Sequence, residues 1–202
     1  MSDPLHTTDQ PLVDLLNATN ALERGHFLLQ SGRHSDQRLA LLLLLQQRSA
    51  VAQIAEALAS QSRALVGAMG GEIDLVVSTT ADVSDVADVV ARTLGVQSVV
   101  AGDGFGDVVN PRARVLLVAG DLETGDPIAL LLPMLYAAGA HPIAVSAVAR
   151  RTPVLTEIEA VGRDPIPLIA GITLDLPTYE PADCPLCAAG APMGAAQNSV
   201  TR

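Results

Sequence analysis

From residue 74 onward, short continuous apolar runs alternate with stretches of helical period, and this alternation leaves few folds open. Apolar runs at 75–77, 97–101, 114–118, 142–148 and 167–174 predict strands. Helical periods at 83–94 and 127–138 lie between them, with Gly95 and Gly139 standing where helices end. A shorter helix is expected over 156–161. A strand apolar on both faces must be covered on both faces. The pattern therefore predicts an α/β fold, a doubly wound, mostly parallel five-stranded sheet between helices. Sheets of this kind bind ligands beyond the carboxyl ends of their strands. Those ends fall at 78–82, 101–107, 119–126 and 149–153.

The region ahead of residue 74 is less regular. Residues 11–24 place Leu12, Leu15, Leu16 and Leu22 on one helical face. A short apolar piece at 26–29 leads into a polar turn, SGRHSDQ, at 31–37. Residues 39–45 are a buried strand or a helix start, and periodicity does not separate the two. Residues 47–66 predict a strong helix with Val51, Ile54, Leu58 and Leu65 on one stripe. At 202 residues the chain is expected to form one domain. Its parts are N-terminal helices over 11–66, an α/β core over 70–174 and a Pro-, Ala- and Gly-rich tail over 175–202.

Charge excludes several function classes. Asp and Glu total 22 against 12 basic residues, all of them Arg, for a net charge of -10. Nucleic acid is held by clustered Lys and Arg that neutralise phosphates, so it is not an expected partner. Nor is an anionic membrane surface. With no Trp, 2 Tyr and 2 Phe, no aromatic platform for stacking bases is expected. The absence of Lys removes Schiff-base chemistry, a lysine-held phosphate and a lysine general acid. No apolar run approaches the roughly 18 residues of a membrane span, and the N-terminus is not of secretory type. A cytoplasmic location is expected.

Residues 115–127, VLLVAGDLETGDP, outline a strand, a short loop and a helix start. Helix N-termini bind anions through free backbone N–H groups. Here Asp121, Glu123 and Asp126 crowd the turn around Thr124 and Gly125, and a phosphate would be repelled where it should be held.

Four segments in order, GHFLLQSGRHSD (25–36), DLVVS (74–78), VLLV with its Thr-Gly (115–125) and LDLPTYEPADCPLCAAGAP (174–192), resemble bacterial orotate phosphoribosyltransferases. The resemblance spans nearly the whole chain. It implies a type I phosphoribosyltransferase fold, with a small hood built from the N-terminal region and the C-terminal tail, and a homodimer. It also implies that orotate and phosphoribosyl pyrophosphate (PRPP) are joined with Mg²⁺ to give orotidine monophosphate and pyrophosphate, a step of pyrimidine biosynthesis.

The ligand segments depart from the family pattern. Two acids that bind ribose hydroxyls are expected after the strand, and Ala119 and Gly120 stand there, with Asp121 one place late. Glu123 replaces the first loop Thr, and Asp126 and Pro127 replace small or hydroxyl residues. Asp82 and Val83 occupy an expected Gly-Gly pair in the pyrophosphate loop. The mobile catalytic loop is reduced to GDGFGDVVNP (102–111), with Asp103 and Asp107 and no base. An expected N-terminal Lys is Leu41, and a neighbouring aromatic is Arg38. Thr124 and Gly125 remain of the phosphate loop. Ser31, Gly32, Arg33, Ser35 and Arg151 remain of the orotate pocket, Arg151 matching the residue that would meet the orotate carboxylate.

Other groupings are weaker. Cys184 and Cys187 form a CxxC that is structural, redox-active or half of a Cys₄ zinc site completed across a dimer; without a second pair or a neighbouring His, the structural role weighs most. His26 and His34 lack metal-ligand spacing, and His34 is expected in an exposed turn. Asp82, Asp85 and Asp88 read as a solvated helix face. A solvated or dimer salt-bridge role is favoured over ligand binding for Arg33, Arg38 and Arg151.

The leading expectation is a non-catalytic relative of the family that acts by binding, as a homodimer or paired with an active paralogue. No cofactor is expected, with Mg²⁺ present only if PRPP binding is retained; a small carboxylate near Arg151 is a candidate ligand. The alternatives are an active enzyme in which Asp121 or Glu123 binds Mg²⁺ or ribose, and a regulatory protein with a repurposed surface.

Overall fold

The computed structural model describes residues 10–102 and 109–194. Its centre is a six-stranded sheet in the order β4-β3-β5-β6-β8-β7. The strands are β3 (Leu75–Ser78), β4 (Gln97–Val100), β5 (Arg114–Leu122), β6 (His141–Arg150), β7 (Glu157–Ile158) and β8 (Ile166–Thr173). Five of them run parallel, as the sequence pattern requires. The sixth, β7, pairs antiparallel with β8 at the sheet edge, where a helix over 156–161 was expected. Gly162, at φ +70°, turns the chain back, and Ile158 is wholly buried, so a hairpin satisfies both residues better than a helical turn.

Alternation along the strands divides the core. Val76, Leu116, Val118, Ala144 and Val148 face α3 (Arg48–Ala68) and α4 (Ser84–Leu94). Val77, Val115, Leu117 and Val145 face α5 (Asp126–Ala137). Successive strand side chains point to opposite faces, so one apolar run serves two layers. Among the described residues, no helix is long and apolar enough to cross a membrane.

The N-terminal region differs from its sequence reading. The helix α1 (Gln10–Thr19) stops early, because Asn20 takes a left-handed conformation, φ 48°. Residues 22–39 then form a hairpin of β1 (Leu22–Leu28) and β2 (His34–Leu39). The ambiguous run 39–45 resolves as a strand end followed by the short helix α2 (Leu41–Leu45). The tail returns to this hairpin: His34 and Tyr179 exchange backbone hydrogen bonds of 2.8 Å in each direction.

At the amino ends of the strands, Arg114 fastens β5 to the chain entering β3. Its Nε donates to Asp74 Oδ2 at 2.9 Å and its Nη2 to Oδ1 at 2.8 Å, and its backbone N–H adds a third bond at 2.8 Å. The hydrogen bonds from Arg114 hold the Asp74 carboxyl down at about 2. That is below the ordinary value of about 3.9. A carboxyl depressed in the fold stabilises fully above its unfolded pKa and loses that contribution as pH falls through the folded one. Thermal midpoints are therefore expected to fall between about pH 4 and pH 2, with Asp74→Asn reducing the slope. An unchanged slope in the variant would assign the acid sensitivity elsewhere.

Candidate functional site

The strand β5 continues through Leu122, four residues past the apolar run that announces it, because Asp121 and Leu122 stay in register with Ala149 and Arg150 of β6. Only Glu123, Thr124 and Gly125 then connect β5 to α5. Ala119 is buried on the face toward α5. Gly120 lies toward the opposite face, beneath the start of α2. A Cβ placed on it would come within 2.8 Å of Leu41 Cδ2 and 3.4 Å of Val83 Cγ1. Val83 is wholly buried at the end of a 3-10 turn, Ala81–Val83. Leu41 and Val83, from two separate segments, thus both lie close to Gly120, and these are three of the positions at which the sequence differs from what the resemblance implies.

Asp121 reaches Arg151, the cation that the resemblance sets in the orotate pocket. Arg151 Nε donates to Asp121 Oδ2 at 2.8 Å, and Nη2 lies 2.6 Å from the same oxygen. Both side chains are largely buried. Burial pushes the Asp121 carboxyl up, the charge and hydrogen bonds of Arg151 oppose that, and Glu123 adds repulsion. Arg151 is also placed by its backbone, which bonds Leu122 and receives Leu176. A small carboxylate reaching Arg151 would have to displace Asp121.

Glu123 takes a second pocket residue. Ser31 Oγ donates to Glu123 Oε2 at 2.7 Å across 92 positions of sequence. Gly32, at φ +83°, makes the tight turn that presents Ser31. Ser35 Oγ donates to the Pro177 carbonyl at 2.8 Å, and Arg33 Nη2 to that of Thr178 at 3.2 Å. Arg33 also lies 3.2 Å from Glu180. Arg38 pairs with Glu23 and stacks its guanidinium over Phe27 at 4.5 Å. Ser31, Arg33, Ser35 and Arg151 are thus all engaged within the chain.

At the start of α5, Thr124 Oγ1 donates to Asp126 Oδ2 at 2.9 Å. Asp126 sits in the first helical turn, where its charge complements the helix dipole. Gly125 approaches Ile158 closely: a Cβ there would lie 3.2 Å from Ile158 Cδ1. Packing against the edge hairpin accounts for Gly125 without a ligand. Asp82, Asp85 and Asp88 are exposed, in keeping with a solvated face. Asp103 and Asp107 lie outside the described residues.

The turn from β5 into α5 carries the acids Asp121, Glu123 and Asp126, and Val83 is wholly buried. Two carboxylate oxygens, Asp121 Oδ1 and Glu123 Oε1, are nevertheless buried with no hydrogen-bond partner.

The two histidines correct the sequence reading. His34 lies on β2 and is buried, and His26 on β1 is buried beside it. Both stand next to Cys184 and Cys187, which follow His26 by 158 and 161 residues along the chain. No local spacing signals this cluster. Partial desolvation and the neighbouring Cys184 push the Cys187 thiol up, the reverse of what an attacking thiolate needs.

No protein-family model matches the sequence. Curated relatives do. The chain is 30% identical over 190 residues to orotate phosphoribosyltransferase from Thermus thermophilus, covering 90% of this chain and 97% of that protein. Among solved structures, orotate phosphoribosyltransferase from Aeropyrum pernix superposes with a TM-score of 0.61 at 23% identity, covering 81% of this chain and 93% of that one. Leishmania donovani UMP synthase gives a TM-score of 0.67 at 16% identity over 83% of this chain, which spans 37% of that longer protein. The fold is that of the type I phosphoribosyltransferases, and the chain belongs to the orotate phosphoribosyltransferase family.

Proposed function

We propose that this member of the orotate phosphoribosyltransferase family is non-catalytic and acts by binding, as a homodimer or with an intact paralogue. The observation that carries this reading is the close approach of both Leu41 and Val83 to Gly120. A lysine, a glycine and an acid that the family pattern sets around PRPP are replaced together by apolar groups gathered at Gly120. The bonds of Asp121 to Arg151 and of Glu123 to Ser31 support it, since the chain's own carboxylates take up the groups an anionic substrate would use.

The test is direct. Purified protein mixed with orotate, PRPP and Mg²⁺ should leave the orotate absorbance unchanged. Turnover at even ~1 per second, an ordinary enzyme rate, would overturn the proposal.

One observation favours a second reading, an active enzyme with a shifted ribose site. The unpartnered Asp121 Oδ1 and Glu123 Oε1 are acceptors suited to sugar hydroxyls or to a hard cation. Calorimetric titration separates the two readings. Heat from PRPP that depends on Mg²⁺ supports the active enzyme, and its absence supports the binding protein.

A further inference from the structure

The geometry points to a structural zinc site, built from His26, His34, Cys184 and Cys187, that clamps the N-terminal hairpin to the C-terminal tail. One ligand atom from each residue lies within 4.8 Å of all the others. His26 Nε2 is 3.0 Å from His34 Nδ1, 3.6 Å from Cys184 Sγ and 3.5 Å from Cys187 Sγ. Cys187 Sγ is 3.2 Å from His34 Nδ1. Tetrahedral zinc, with bonds of about 2.0–2.1 Å to nitrogen and 2.3 Å to sulfur, sets neighbouring ligand atoms roughly 3.3–3.8 Å apart. The four short separations match that figure to within a few tenths of an ångström. An ion would draw the longest edge in by about an ångström.

Ordinary hydrogen bonding does not account for the cluster. His26 Nδ1 is 3.0 Å from the Ala191 carbonyl, which can only accept, so the proton resides on Nδ1. His26 Nε2 then offers one lone pair, and three groups converge on it. A metal ion resolves this crowding, and the Ala191 carbonyl becomes the outer partner that orients a ligating imidazole. Two thiols and two imidazoles form a borderline-soft donor set that suits Zn²⁺ rather than the hard Mg²⁺ of phosphate chemistry. Four protein ligands close the coordination shell, which marks a structural site, not a catalytic one.

The ligands come from β1, β2 and both ends of the turn at Cys184–Cys187. Their surroundings already tie these segments together. Gly194 donates from its backbone to the His26 carbonyl at 2.6 Å, and His34 is paired with Tyr179. The clamp holds the tail that supplies the Pro177 and Thr178 carbonyls to Ser35 and Arg33. Neither proposed function depends on it.

The full chain, purified without chelator or histidine tag, should carry one zinc per chain by mass spectrometry of the metal. Co²⁺ taken up after zinc removal should give the intense visible bands of tetrahedral cobalt with thiolate ligands, saturating at one equivalent. Cys187→Ser, at the exposed ligand, should abolish the bands while the far-ultraviolet dichroism stays unchanged. If that variant fails to fold, the wild-type cobalt titration decides alone. A folded wild-type chain that takes up neither Zn²⁺ nor Co²⁺ would overturn the inference. So would a Cys184–Cys187 disulfide in protein purified anaerobically.

Discussion

Arg151→Met should lower the unfolding free energy by about 3–5 kcal/mol, because it leaves the buried Asp121 carboxylate without its counter-charge. For a chain of this length that is a fall of roughly 10 °C in thermal midpoint. Burial already raises the Asp121 carboxyl, and the loss of Arg151 raises it further. A group raised in the fold contributes stability at low pH and loses it as pH rises through the folded value. The deficit of the variant relative to wild type should therefore be smaller at pH 5 than at pH 8. Adding Asp121→Asn should recover most of the loss, since a buried pair removed as a unit costs little. A single variant as stable as wild type at both pH values would mean that Arg151 is held for a ligand and not for Asp121.

The second large effect concerns Gly120. Gly120→Asp restores an acid where the family pattern expects one, and it should destabilise by about 2–4 kcal/mol. Its Cβ alone would press to 2.8 Å from Leu41 Cδ2, and the carboxylate must then pass between Leu41 and Val83. Overpacking of this kind costs about 1–3 kcal/mol, and partial burial of a charge beside Asp121 adds to it. Gly120→Ala should cost far less, because the end of the Leu41 side chain can yield. Leu41→Ala combined with Gly120→Asp should recover part of the stability, which urea titration can measure. Additive losses in the double variant would show that Leu41 and Gly120 are not coupled, and would remove the main support for a non-catalytic site.

Much of this arrangement was legible beforehand, and the remainder was not for definite reasons. The five parallel strands follow from runs such as 114–118 and 142–148, which no single-faced sheet could bury. The acids Asp121, Glu123 and Asp126 are visible in the sequence, but their bonds to Arg151, Ser31 and Thr124 are not. The edge strand Glu157–Ile158 was missed because two residues carry no period, and a glycine turn at Gly162 decided it. The hairpin of β1 and β2 was missed because its strands mix Glu23, Arg24, His26 and Asp36 with apolar residues, and strand pairing overrides that pattern.

Sequence alone determined the layered α/β core and the family, and it sets Leu41, Ala119 and Gly120 where the resemblance implies a lysine and two acids. Those properties are local: each follows from a run, a period or a residue type at one position. Tertiary structure decided what those residues meet. Leu41, Val83 and Gly120 meet only when α2 is laid across the carboxyl ends of the strands. Asp121 finds Arg151 because the parallel register carries β5 and β6 to the same height. His26 and His34 reach Cys184 and Cys187 only because the tail folds back on the hairpin. Contacts between residues far apart in the chain leave no spacing to read, and only packing brings them within bonding distance.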